Sequence, residues 1–335
     1  MRWYAPGGRH LNWHRLARRA AGADAVVLEQ ALHNLEAFPL LLRQSVGHLA
    51  RRRGRPVAFW GHGRTFTKPQ NRLETWGKEV LTRRGAWFFS YTDEGAAHVA
   101  SRGFPRERIT VVQNSIDTAA LSETCDRARS PGTTEFAEAE GLRRQHDLTA
   151  GRTALFVGGL DAPKRIPFLL DTARRITEEL PGFRLLVAGD GPARGLVEEA
   201  AARPGSGVIA VGRAVGRSVA LLGAVSDIML MPGRVGLCAV DSFALRTPIV
   251  TTAWPWHAPE FEYLADARNA VVSVDDPAAY ATAVVTLLRD HKRLAALADA
   301  CSRDASVYTV QNMAARFSKG ILQMLSQFEA VGRRP

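Results

Sequence analysis

Cysteine is scarce in this chain of 335 residues: only Cys125, Cys238 and Cys301 occur, with no Cys-x-x-Cys pair. That argues against a disulfide framework and a zinc site, and it suits a reducing compartment. Long apolar runs are also missing. No stretch approaches the roughly 18 residues needed to cross a bilayer. The start, Met1-Arg2-Trp3-Tyr4-Ala5-Pro6, lacks the apolar core of a signal peptide. The expectation is a cytoplasmic protein, soluble or peripheral on the inner face of the cell membrane. No Asp-x-Asp triplet occurs, so no metal-carrying motif is read and no resident cofactor is expected. No Gly-x-Gly-x-x-Gly follows a strand-like run, which disfavours a nicotinamide dehydrogenase.

What is present is an uneven charge. The net charge is +11, and residues 1–118 carry 19 Lys+Arg against 9 Asp+Glu, while residues 119–335 are nearly balanced at 25 against 24. A basic first third predicts an anionic partner: a membrane surface, a phosphorylated acceptor or nucleic acid. Nucleic acid is disfavoured, because no interleaved aromatic platform or known module accompanies the charge. The densest basic run is Arg51-Arg52-Arg53-Gly54-Arg55. A helix end complementing its dipole explains one or two of these arginines but not four. Contact with anionic headgroups is the reading that accounts for the run.

The second half alternates short apolar runs with amphipathic stretches. Ala154–Val157, Arg184–Ala188, Val208–Val211, Ile228–Met231, Ile249–Thr251 and Val271–Val274 read as strands. Runs that are apolar throughout indicate a parallel sheet covered on both faces, hence a doubly wound α/β domain. The first third has the same rhythm, with strands at Ala25–Leu28, Val57–Trp60, Trp87–Ser90 and Ile109–Val112 and helices at His14–Ala20, Asn34–Arg52, Leu73–Arg83 and Glu94–Ser101. The predicted plan is a first domain over 1–118, a linker over 119–150, a second domain over 151–312, and a C-terminal helix and tail over 313–335.

Ligands of open α/β sheets bind beyond the carboxyl ends of the strands. The first strand of the second domain ends in Gly158-Gly159-Leu160, followed by Lys164-Arg165 at the next helix start. Glycines permit close approach, and cations beside free helix amides suit a diphosphate; a plain turn with solvated charge is the bland alternative. The second strand ends in Gly189-Asp190-Gly191-Pro192, which by itself fits a structural elbow. The fourth is followed by Gly233-Arg234-Val235-Gly236-Leu237-Cys238 and then Asp241. A carboxylate there can accept two hydrogen bonds from ribose hydroxyls, with the Gly236, Leu237 and Cys238 amides toward phosphate. Alternatively, Asp241 only complements a helix dipole.

Together these stretches resemble the donor domain of family 4 glycosyltransferases of the GT-B fold, two Rossmann-like domains facing across a cleft. Gly158, Leu160, Lys164, Gly189 to Pro192, Gly236-Leu237, Asp241 and Thr247-Pro248 follow that family's pattern in order and spacing. Asn114-Ser115-Ile116-Asp117 resembles the segment closing its first domain. The resemblance implies a nucleotide-sugar donor and a carbohydrate or lipid-linked acceptor, with retention at the anomeric carbon. It assigns Lys164, with Arg165, to the leaving diphosphate and Asp241 to the ribose. It places His62, in Gly61-His62-Gly63-Arg64, toward the transferred sugar, with Arg64 on the acceptor side. Glu260, near His257, becomes a contact to donor sugar hydroxyls, although Pro259 and Glu260 also suit a helix first turn.

The chain departs from the pattern at three places. Gly233 stands where the family has its first acid, Gly159 stands where it has an arginine, and the first domain reads as shortened, with an exposed sheet edge. These departures keep two other readings open: a non-catalytic nucleotide-sugar-binding subunit, and a sugar-nucleotide epimerase.

Overall fold

Short β-branched and aromatic runs form the strands of the first unit, which comprises residues 1–114 and 311–335. The computed structural model describes residues 2–5, 9–13, 22–49, 55–64 and 72–332. An antiparallel hairpin, β1 (Arg2–Ala5) and β2 (Arg9–Asn12), comes first and has no counterpart in the sequence reading. Then β3 (Val26–Glu29), α1 (Ala37–Leu49), β4 (Val57–Gly61), α2 (Arg72–Arg83), β5 (Trp87–Ser90), α3 (Asp93–Ser101) and β6 (Ile109–Val111) alternate. Strands β3 to β6 pair in parallel in chain order. Right-handed crossovers all running one way put the three helices on one face. There Leu40, Leu41, Leu81, Ala96 and Val99 bury against Phe59 and Phe88. The helix read at His14–Ala20 lies outside the described residues.

The stretch 119–150, expected as a linker, belongs to the second unit, residues 115–310. It forms α4 (Ala119–Arg129) and α5 (Thr134–His146). Cys125, Ala128 and Ala139 are buried in that unit's core. Arg127 and Arg217 both pair with Glu135, at 3.0 and 2.8 Å. The polar composition that suggested a connector is the outer face of this helix pair. Its turn-rich centre is the bend between them, where the Thr133 hydroxyl accepts from Phe136 N and caps α5.

The remainder alternates as β7 (Thr153–Val157), α6 (Ile166–Glu179), β8 (Arg184–Ala188), α7 (Arg194–Ala202), β9 (Val208–Gly212), α8 (Arg217–Ala224), β10 (Ile228–Met231), α9 (Cys238–Leu245), β11 (Ile249–Thr252), β12 (Ala270–Ser273), α10 (Pro277–Arg289) and α11 (His291–Ala305). All six strands are parallel, in the order β12-β11-β10-β7-β8-β9. The winding reverses between β10 and β7, so the loops leaving those two strands open the crevice where doubly wound sheets take ligands. Helix α12 (Val310–Gly332) returns to the first unit and covers its free face. Phe317 stacks on Phe89 at 4.3 Å between centroids, and Met324 is buried beside them.

Candidate active site

The loop after β7 is held by the loop after β8. Leu160 N donates to Asp190 O and Ala193 N donates to Leu160 O, each at 2.9 Å. A Cβ on Gly189 would stand 2.0 Å from Gly158 O. Gly189 is therefore required by loop-to-loop packing, and the Gly189 to Pro192 elbow acts as a brace for Gly158 and Leu160. Gly191 packs over Leu160 in the same way. Gly159 differs: a Cβ there meets only the Asp161 side chain, at 3.4 Å.

Beyond Gly159 a 3-10 turn, Ala162–Lys164, presents Lys164 across the crevice. Its ammonium lies over Gly158 and donates to Arg234 O at 2.7 Å. One N–H of three is used, which fixes the group's position. Arg165 takes a left-handed backbone conformation, φ 55°. It donates to Pro232 O in the β10 loop at 3.2 Å, ion-pairs with Asp275 at 2.5 Å and stacks over Phe168 at 4.4 Å. Both adjacent cations thus reach the β10 loop, and Arg165 is in addition neutralised by Asp275, in the segment before α10.

The β10 loop docks directly on this turn. Arg234 N donates to Pro163 O at 2.9 Å, and a Cβ on Gly233 would lie 2.4 Å from Pro163 O and 2.6 Å from the Lys164 carbonyl carbon. Backbone occupies the space a side chain at 233 needs. The missing acid at this position therefore has a packing cause. Arg234, which the sequence reading passed over, donates Nε to Trp256 O at 3.0 Å and keeps its terminal nitrogens without a hydrogen-bond partner among the described residues. Its signal in the sequence was a lone arginine in a glycine loop after a strand.

Helix α9 starts at the far side of the same loop. Among the described residues the Leu237 and Cys238 amides have no backbone acceptor, the usual state of a helix start and a ready anion site. The Asp241 carboxylate makes no hydrogen bond among the described residues, and burial pushes its pKa up to about 6. Burial raises the Cys238 thiol most; Lys164 opposes that shift, while Asp241 and Glu260 add to it. Geometrically, Lys164 reaches the loop before α9 through Arg234 O, Glu260 lies beside Gly236 in that loop, and Asp241 stands in the first turn of α9.

Glu260 is 4% exposed, in the 3-10 turn Pro259–Tyr263, with Oε2 3.8 Å from the Cβ position of Gly236. Neighbouring His257 is a brace. Its Nδ1 accepts from Val235 N at 3.1 Å, its Nε2 donates to Thr252 O at 2.9 Å, and its ring stacks on Phe261. Burial lowers its pKa, so the ring is neutral.

In the first unit His62 follows β4 and meets the Tyr91 ring edge-on, 4.1 Å between centroids. Burial, and then the Lys78 charge, lower its pKa to about 4. It is a neutral imidazole near pH 7, fit for hydrogen bonding. Lys78 went unread in the sequence. It lines a small pocket with Gln30, Gly63, His98 and Arg102. Arg64 is exposed and pairs with Glu94 at 2.9 Å. Arg51, Arg52 and Arg53 lie outside the described residues; Arg55 is exposed just before β4. Among the described residues, no helix is long and apolar enough to cross a membrane.

Comparison with known proteins places this architecture. HepE from Anabaena, in complex with UDP, superposes with a TM-score of 0.67 at 16% identity, over 91% of this chain and 81% of that one. The same protein in complex with UDP-glucose gives 0.64 at 15%, over 92% and 80%. A glycosyltransferase from Rickettsia africae gives 0.64 at 12%, over 96% and 80%. The N-terminal domain of Candida albicans trehalose-6-phosphate phosphatase gives 0.66 at 12%, over 92% and 72%. At such identities the likeness establishes the fold. No curated protein matches the chain in sequence. Residues 151–290 match the family described as Glycosyl transferases group 1. The two Rossmann-like units have the GT-B fold of these neighbours, and the family match lies within the second.

Proposed function

We propose that the protein transfers a sugar from a nucleotide-sugar donor, bound in the crevice between β7 and β10, to a cell-envelope, polysaccharide or lipid-linked acceptor. The observation that carries this reading is the loop before α9, which Lys164 reaches through Arg234 O, where Glu260 lies beside Gly236, and which leads into a first helical turn holding Asp241. A cation, uncommitted helix amides and a desolvated carboxylate are what a diphosphate and its ribose demand. That a neighbour of the same fold is described with UDP and UDP-glucose supports the nucleotide class. We assign the enzyme to the family 4 type of GT-B transferases.

In this mechanism the bond from the anomeric carbon to the diphosphate breaks, and the electron pair leaves with the diphosphate. Lys164 and the α9 amides meet the charge that develops there, mainly through preorganised electrostatics and without a metal. The acceptor hydroxyl attacks the same face, and its proton passes to the departing diphosphate oxygen, giving retention. Asp241 accepts from the ribose hydroxyls, Glu260 accepts from sugar hydroxyls, and Arg234 is a second cation for the phosphates.

Thermal-shift and calorimetric screening of nucleotide sugars tests the donor site, since a ligand that binds only the folded state raises its stability. Stabilisation by at least one nucleotide sugar, lost in Lys164→Ala and Asp241→Asn, is expected. No stabilisation by any would sink the reading. The packed position of Gly233 favours one alternative, a non-catalytic nucleotide-sugar-binding subunit. Binding without transfer or donor hydrolysis would select it.

A further inference from the structure

Among the described residues, twelve large apolar side chains are exposed, and five of them lie on α1 and α2 of the first unit: Phe38, Leu42, Val46, Leu73 and Trp76. Helix α1 is the unusual element. Its inner face, Ala37, Leu40, Leu41 and Gln44, is buried as an amphipathic helix should be. Its outer face is apolar too. Phe38 is 50% exposed, Leu42 65% and Val46 53%. The spacing of four residues lines these three up in one row along the helix. A surface helix ordinarily turns polar residues outward, yet α1 contains no acid and its one arginine, Arg43, is exposed beside the row. Leu73 and Trp76 are exposed on α2, which packs on the same face of the sheet.

Two further observations select the occupant. In sequence, α1 runs on into Arg51-Arg52-Arg53-Gly54-Arg55, and residues 1–118 hold 19 Lys+Arg against 9 Asp+Glu. A row of Phe, Leu and Val flanked by arginine, with acids absent from the helix, is the composition of a helix lying in the plane of an anionic membrane interface. We infer that α1 is a membrane-docking helix: Phe38, Leu42 and Val46 enter the boundary between headgroups and acyl chains, and Arg43 meets anionic headgroups. This surface belongs to the first unit, and the inference does not depend on the transfer reading.

Flotation of the full chain with vesicles tests it, using phosphatidylcholine alone or mixed with phosphatidylglycerol, at low and high salt. The chain should bind the mixed vesicles, and salt should weaken that binding without abolishing it. A Phe38→Ser/Leu42→Gln/Val46→Ser variant should lose roughly tenfold or more in partitioning with its melting temperature unchanged, because these side chains are already exposed. An Arg43→Gln variant should lose a smaller part, and only at low salt. Failure of the wild type to bind anionic vesicles would overturn the proposal, as would equal binding by the triple variant. Concentration-dependent self-association that the triple variant abolishes, without vesicle binding, would assign the face to a second copy of the chain instead.

Discussion

Adding a single methyl group at Gly233 should disable the donor crevice without touching any charged group. The Cβ of Gly233→Ala would lie 2.4 Å from Pro163 O, 2.6 Å from the Lys164 carbonyl carbon and 2.8 Å from Lys164 Cα, where ordinary contact begins at 3.4 Å. All three neighbours are backbone, so no rotamer change relieves the clash. The Pro163–Lys164 turn must withdraw by about 1 Å, and the Lys164 ammonium moves with it. Overpacking of this kind costs ~1–3 kcal/mol, which for a unit of this size lowers the melting temperature by roughly 2–12 °C. A displacement of about 1 Å in a charge-positioning group can lower turnover by about a hundredfold. Differential scanning calorimetry, isothermal titration with nucleotide and a transfer assay read the three effects. Gly159→Arg is the matched comparison. Its Cβ has room, meeting only Asp161 at 3.4 Å, so stability should stay within about 0.5 kcal/mol and nucleotide affinity should rise in a salt-sensitive way. If Gly233→Ala melts and binds like the wild type, the packing explanation for the absent acid is wrong.

The remaining predictions concern Lys164 and Asp241. Lys164→Ala should cut transfer by roughly 10²–10³-fold with an unchanged circular dichroism spectrum, since its main-chain turn stays intact; near-normal activity would refute its role. Asp241 has a pKa raised to about 6 by burial, so its charged form is disfavoured in the empty protein. The fold should therefore gain stability as pH falls through about 6, whereas nucleotide affinity, which uses the ionised carboxylate, should fall over the same range. Asp241→Asn should remove both dependences, raise the melting temperature of the empty protein at pH 7 and weaken nucleotide binding. Calorimetry between pH 5 and 8 checks the signs; a flat affinity profile in the wild type would count against ribose contact.

Much of the α/β framework was legible in the residues themselves. Runs such as Leu185 to Ala188 and Ile228 to Met231 are apolar on both faces, and only a strand sandwiched between helix layers satisfies that pattern. At α10 the N-cap Asp276, which accepts from Ala278 N and Ala279 N, and the first-turn Pro277 are local signals of the same kind that the sequence reading did not use. The order of the donor loops was equally readable, since glycine, lysine and acid positions lie in short contiguous stretches. Contacts between distant segments were not. Polar helices α4 and α5 passed for a linker because their buried side, Cys125, Ala128 and Ala139, is narrow and small-residued. Adjacent Lys164 and Arg165 looked equivalent, yet with a left-handed turn at Arg165 their partners differ: Lys164 bonds to Arg234 O, whereas Arg165 bonds to Pro232 O and is paired with Asp275. Gly233 read as a lost acid, although the side chain it lacks is excluded by the backbone of a loop some 70 positions earlier. Composition and periodicity determine which segments become strands and helices, because those preferences act within a few residues. Which charged group faces the crevice is decided by tertiary packing, because it depends on atoms that the chain brings together only once the sheet has formed.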